Sequence, residues 1–160
     1  MKFTADFHIH SKYSRAVSPL MNLVNLDKWA KIKGIDVLGT GDFTHPKWLK
    51  EIKSKLRPAE WGLFKLKGSD IGTRFVLSSE ISCIYSKPAS SSQGGGGKVR
   101  KIHIIVLAPS INTVEKINKR LGQIGNLKAD GRPILGLDAK ELVKIIMILR
   151  RQDWMWLRVI

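Results

Sequence analysis

The chain has a single cysteine, Cys83, among 160 residues. That count excludes an internal disulfide and a cysteine-built zinc finger. The expected fate of the thiol is a small buried core position. Acidic residues are also scarce, with 13 Asp and Glu against 28 Lys and Arg, a formal charge of +15. A surface this basic attracts polyanions, and nucleic acid is the commonest of them in a cell. No apolar run reaches membrane-spanning length, and the opening Met1-Lys2-Phe3-Thr4-Ala5-Asp6 has no leader pattern. The expectation is a cytoplasmic protein with no membrane partner. An apolar fraction of 43% suits one domain with a core.

What is present begins with Phe3-Thr4-Ala5-Asp6-Phe7-His8-Ile9-His10-Ser11, which reads as a strand ending in two imidazoles. Side chains on a strand alternate faces, so His8 and His10 point the same way. A helix over 25–34 follows, with Asn25 as its cap, Gly34 as its stop, and Leu26, Trp29, Ala30 and Lys33 on one face. Ile35 to Gly41 is a second strand, which makes a βαβ unit with parallel strands. Pro46 opens a helix through Lys53. Residues 56–74, with Pro58, Gly62, Gly68 and Gly72, are expected to form a surface excursion.

Arg74–Tyr85 and Arg100–Ala108 are strands three and four. The Ser/Gly segment between them reads as an exposed loop. Asn112 is the expected cap of a helix carrying Val114, Ile117, Leu121 and Ile124. Residues 126–136 form a polar connector, and Asp138-Ala139-Lys140-Glu141 starts the last helix. From Met147 to Ile160 the sequence turns to large apolar and basic residues without turn chemistry. That change of style is read as an aberrant tail, out of its proper frame; a basic amphipathic tail is the alternative.

Alternating strands and helices predict an α/β domain, and such domains carry chemistry at the carboxyl ends of their parallel strands. His8 and His10 end strand one, Asp42 follows strand two, Glu80 lies late in strand three, and His103 sits in strand four. His45, one turn past Asp42, is within reach of the same mouth. Imidazoles with bridging carboxylates suit two or three divalent ions such as Zn²⁺ or Mn²⁺, which promote phosphoester cleavage. Lys12, Arg15, Arg100 and Lys101 flank the mouth as candidates to hold phosphate or DNA.

His8-Ile9-His10-Ser11, Asp42 after an apolar strand, Glu80 and His103 together resemble the PHP (polymerase and histidinol phosphatase) superfamily. The longer runs Ala5–Ala16, Trp29–Pro46 and Ile117–Gly136 are similar to the endonuclease Q family, and the likeness covers about residues 1–146. The resemblance implies a distorted (β/α) barrel around Zn²⁺ and/or Mn²⁺/Mg²⁺. It implies a DNA-repair endonuclease that nicks DNA 5′ of deaminated bases (uracil, hypoxanthine) and of abasic sites. Carried over by position, the metal ligands are His8, His10, Asp42, Glu80 and His103. The pattern has a His directly after its Asp, and here Phe43 stands there, so His45 is not carried over.

The family also has later histidines, an Asp-x-His motif and a cysteine-bearing zinc module, none of which follows residue 146 here. Residues 1–146 are thus expected to be the amino-terminal portion of an incomplete PHP barrel, with 147–160 as the aberrant tail. Such a truncated chain is expected to be poorly active. Two other readings stand beside the nuclease: a PHP phosphatase acting on a small phosphomonoester, and a non-catalytic nucleic-acid-binding module of a polymerase or helicase assembly. DNA is the expected partner, with replication or repair proteins beside it. The +15 charge argues against the phosphatase.

Overall fold

The structure, a computed structural model, describes residues 2–69, 72–87, 98–152 and 158–159. The segment 89–97 and most of the tail from 153 onward lie outside the described residues. The fold is mixed α/β, as the alternation of elements implies. Strand β1 (Ala5–Asp6) and strand β2 (Val37–Gly39) pair in parallel across helix α1 (Leu23–Lys33), with Ala5 opposite Val37. The βαβ unit is therefore present, but β1 is far shorter than the stretch through Ser11. The Asp6 side chain accepts a hydrogen bond from the His8 N–H at 3.1 Å, an Asx-type turn that takes the chain out of the ladder.

Helix α1 is capped by Asn22, not Asn25. The Asn22 side chain accepts from the Asn25 N–H, and Gly34 closes the helix at φ 67° in the left-handed region. This start sets the buried stripe as Leu23, Leu26, Asp27 and Ala30, which leaves Trp29 and Lys33 outside. Helix α2 (Pro46–Lys55) begins at Pro46 as expected and buries Trp48 and Ile52. Residues 56–74 are more ordered than a surface excursion. Strands β3 (Leu56–Pro58) and β4 (Phe64–Leu66) form an antiparallel pair, and Phe64 lies opposite Phe75 of the next strand.

That next strand, β5 (Arg74–Lys87), is the spine. Its first residues sit between β2, in parallel, and β4. Its later residues sit between β6 (Lys98–Ala108), antiparallel, and β7 (Ile134–Leu135), parallel. Helix α3 (Ile111–Leu121) is capped by Ser110, whose hydroxyl accepts from the Thr113 N–H, so Asn112 is an ordinary helical residue. Val114, Ile117 and Leu121 are buried, as their spacing predicts. The connector 126–136 holds β7 and buries Leu127, Gly131 and Leu135, so it is not merely polar. Helix α4 (Ala139–Gln152) packs on α3, and β8 (Arg158–Val159) pairs with β6. No helix among the described residues is long and apolar enough to cross a membrane.

Among the described residues, Trp48, Phe43 and Phe75 are the largest fully buried side chains, joined by Leu77, Ile81 and Ile117. Cys83 is buried with them, and loss of hydration followed by the nearby Asp138 charge pushes its thiol up to about 11. Outside the core, the Arg74 guanidinium grips Glu60 with two hydrogen bonds of 2.6 and 2.8 Å. That grip pulls the Glu60 carboxyl from 4.5 to about 2. A depressed carboxyl adds stability at pH above its unfolded value, and the contribution is lost as pH falls through the folded one. In an NMR titration Glu60 should therefore hold its charge down to about pH 2. Arg74→Ala should return its midpoint to the ordinary carboxylate range; an unchanged midpoint would show that another group holds it down.

Candidate metal centre

Four pieces of chain build the site, and backbone contacts fix them before any side chain is considered. The loop after β1 carries His8 and His10. It runs directly against Gly41, where an added Cβ would collide with the Ile9 carbonyl. Gly41 sits at φ 62° and Asp42 at φ 49°, a left-handed pair that only Gly and Asx residues adopt readily. Trp48 closes this corner from beneath: its indole N–H reaches the carbonyls of Gly41 (2.8 Å) and Thr40 (3.2 Å). The 130–133 loop is tied to the first loop by Gly131 N–H to Tyr13 O (3.0 Å). It is tied to β5 by Ser82 N–H to Pro133 O (3.0 Å).

Glu80, 3% exposed in the middle of β5, is the point on which the side chains converge. Its Oε2 lies 2.9 Å from His8 Nε2 and 3.0 Å from His10 Nε2. Its Oε1 contacts His103 Nδ1 and lies 3.9 Å from the Arg132 guanidinium. One donor atom each from His8, His10 and Glu80 fall within 4.8 Å of one another, a grouping that could hold a metal ion. Ligands at about 2.0–2.2 Å from one ion stand at comparable separations, so this donor set of two imidazoles and a carboxylate fits a borderline divalent cation.

Asp42 is fully buried and reaches His10 Nδ1 at 3.0 Å with Oδ1. Its Oδ2 is held by Ser11 N–H (2.6 Å), Ser11 Oγ (2.7 Å) and Ser14 Oγ (2.9 Å). A carboxylate on one ring nitrogen orients the imidazole and leaves the other nitrogen facing the centre. The Asp42 hydrogen bond holds the His10 pKa above its usual 6.5 against the opposing effect of burial, with the Asp42 and Glu80 charges adding to it. Burial alone would raise Glu80. Hydrogen bonds from His8 and His103, with the His10 and Arg132 charges, bring it below the ordinary value instead.

Not every residue expected at the site is part of this grouping. His103 touches the same carboxylate, but it comes from the middle of antiparallel β6, opposite Ser82. The expectation that strand four brings its histidine to a parallel strand end is corrected there, because β6 runs antiparallel to β5. His45 is outside the group: it is buried, its ring is stacked on Tyr13 at 4.6 Å, and burial lowers its pKa. Lys12 is paired with Glu51 at 2.8 Å, and Arg15 is exposed with Asp130 3.9 Å away. Lys101 shares a face of β6 with His103 by alternation, and Arg100 falls on the other face. Arg132, Ser11, Ser14 and Gly131 were not expected at the site. Asp130-Gly131-Arg132-Pro133 reads as turn chemistry, and nothing local to it marks a distant partner. A cleft of about 720 Å³ between α2 and α3, with Thr44, Asn118 and Lys128 in its wall, includes none of the imidazoles.

No protein-family model matches the chain. It is 30% identical over 142 residues to an uncharacterized protein of Methanocaldococcus jannaschii (MJ0043), which covers 88% of this chain and 14% of that protein. Its fold superposes on the lesion-specific endonuclease PfuEndoQ of Pyrococcus furiosus with a TM-score of 0.75 and 29% identity, over 92% of this chain and 32% of that one. It superposes on endonuclease Q bound to a 27-mer duplex with an abasic lesion with a TM-score of 0.76 and 27% identity, over 98% and 34%.

The packing makes a direct prediction. A Cβ at Gly131 would collide with Asp42 Oδ2 and Ser14 Oγ, whereas one at Gly136 meets nothing within 4 Å. Gly131→Ala should cost about 1–3 kcal/mol in chemical denaturation and Gly136→Ala should be near neutral. Equal effects would show that the 130–133 loop does not press on Asp42. In fold and in sequence the chain is close to endonuclease Q, and it spans about a third of the endonuclease Q chains it matches.

Proposed function

We propose that this chain supplies metal-binding machinery to a DNA-repair endonuclease of the endonuclease Q type. The observation that carries the reading is the convergence of His8, His10 and Glu80 on one point. It occurs in a chain whose fold follows a lesion-specific endonuclease over 92% of its length. His8, His10 and Glu80 would hold a divalent ion, with His103 on the same carboxylate and Asp42 behind the His10 ring as the further members of the set. The ions are Zn²⁺ and/or Mn²⁺/Mg²⁺. A divalent ion held there supplies a water of lowered pKa and positive charge against phosphoryl oxygens.

The chain's own residues do the rest. Asp42 keeps the His10 ring turned toward the centre, and Glu80 holds the imidazoles in register. The +15 charge draws in the DNA backbone. The substrate on this reading is DNA nicked 5′ of uracil, hypoxanthine or an abasic site, in the cytoplasm and alongside other repair or replication proteins. Residues 1–146 act as part of a PHP barrel. Because the chain spans about a third of the matched endonuclease Q chains, the 160 residues alone should nick a uracil-containing duplex weakly or not at all.

Titration with Mn²⁺ or Zn²⁺ tests the reading. The wild-type chain should bind, Glu80→Gln should lose measurable binding, and Asp42→Asn should weaken it about 10–100-fold by freeing the His10 ring. Binding to duplex DNA should fall steeply with salt in all three. Metal affinity unchanged in Glu80→Gln would sink the assignment. Robust nicking by the isolated chain would contradict the partial-barrel part of it.

A further inference from the structure

We infer that Arg132 forms an oxyanion subsite that takes a phosphate oxygen of the substrate next to the metal centre. The inference rests on the proposed metal reading and adds to it the group that holds the anion. Arg132 Nη1 is 3.9 Å from Glu80 Oε1, beyond hydrogen-bond distance. Among the described residues no hydrogen bond engages its guanidinium, and 42% of its side chain is exposed at the mouth where His8 and His103 are also exposed. A guanidinium presents up to five donors in a planar fork suited to phosphate.

The placement of this cation is specific. The Arg132 backbone N–H donates to Asp130 Oδ1 at 3.0 Å, which also accepts from Arg15 N–H at 3.4 Å. The Gly131 carbonyl accepts from Thr44 Oγ1 at 3.3 Å, and the Pro133 carbonyl from Ser82 N–H at 3.0 Å. The loop is thus bolted on both sides of Arg132, which fixes where its side chain leaves the backbone, and from there the guanidinium reaches to 3.9 Å from Glu80. A cation there repels the imidazolium forms and any bound divalent ion. One divalent ion together with Arg132 carries more positive charge than Glu80 and Asp42 neutralise. The loaded mouth is therefore electropositive, and the ligand it favours is an anion that can bridge ion and guanidinium. A phosphate or phosphodiester oxygen pair has that shape.

Phosphate binding to the Mn²⁺-loaded chain tests the proposal, with inorganic phosphate as the probe and ³¹P relaxation as the readout. Arg132→Ala should weaken phosphate by about tenfold or more, the scale of a lost charged hydrogen bond, while Mn²⁺ affinity holds or rises. Arg132→Lys should fall between, because a point charge keeps the attraction and loses the fork. Arg120→Ala, at an exposed position of α3, should change neither. If Arg132→Ala leaves phosphate binding intact, or lowers Mn²⁺ affinity in step with it, Arg132 is a structural partner of Glu80 and the inference falls. A wild-type chain that takes Mn²⁺ but no phosphate overturns the subsite alone. A chain that takes no Mn²⁺ overturns the metal reading first and the subsite with it.

Discussion

A carboxylate cannot be withdrawn from water without partners, and Glu80 is withdrawn almost completely. Burying an unpaired charge costs several kcal/mol even after relaxation, so the surroundings of Glu80 must supply hydrogen bonds or positive charge. They supply His8, His10 and His103 by contact and Arg132 at 3.9 Å. His8 and His10 share the loop after β1, His103 comes from β6, and Arg132 from the 130–133 loop. The sheet places Glu80, and the charge of Glu80 then dictates what stands around it. Protonated imidazoles and a divalent cation answer the same electrostatic demand, so a site of this composition serves both.

The rigidity of the arrangement comes from places that carry no charge. Trp48 is fully buried and spends its only polar atom on the carbonyls of Thr40 and Gly41. That hydrogen bond holds the left-handed turn that delivers Asp42. Gly41 and Gly131 then let two further segments approach to distances a side chain would forbid. The hydrophobic core therefore sets the position of His10 through a short relay: Trp48 to Gly41, Asp42 to the Nδ1 nitrogen. Sites held to a fraction of an ångström need such support.

Part of this was legible in the sequence for clear reasons. His8 and His10 are two apart on an extended stretch, and the rule of alternation puts them on one side whether or not the ladder continues. Pro46, Gly34 and the spacing of Val114, Ile117 and Leu121 act locally and read correctly. What failed depends on partners far away in sequence. Asn22 and Asn25 are equally good caps on paper, and only the burial of Leu23 separates them. Short strands such as β4 and β7 exist because β5 is there to receive their bonds, and β3 in turn pairs with β4. His103 belongs to a strand that runs antiparallel to β5, so it reaches Glu80 from mid-strand and not from a parallel strand end. Arg132 hides in a turn whose partners lie on residues 13, 15, 44 and 82.

On the proposed reading, one buried carboxylate gathers imidazoles from the loop after β1 and from β6 around a divalent ion. X-ray absorption at the zinc edge, on the full chain loaded with one equivalent of Zn²⁺, reads that shell directly. Two or more imidazole nitrogens are expected at about 2.0–2.1 Å, with a nitrogen count that drops in His8→Ala. A shell made only of oxygen, or one indifferent to that substitution, would contradict it.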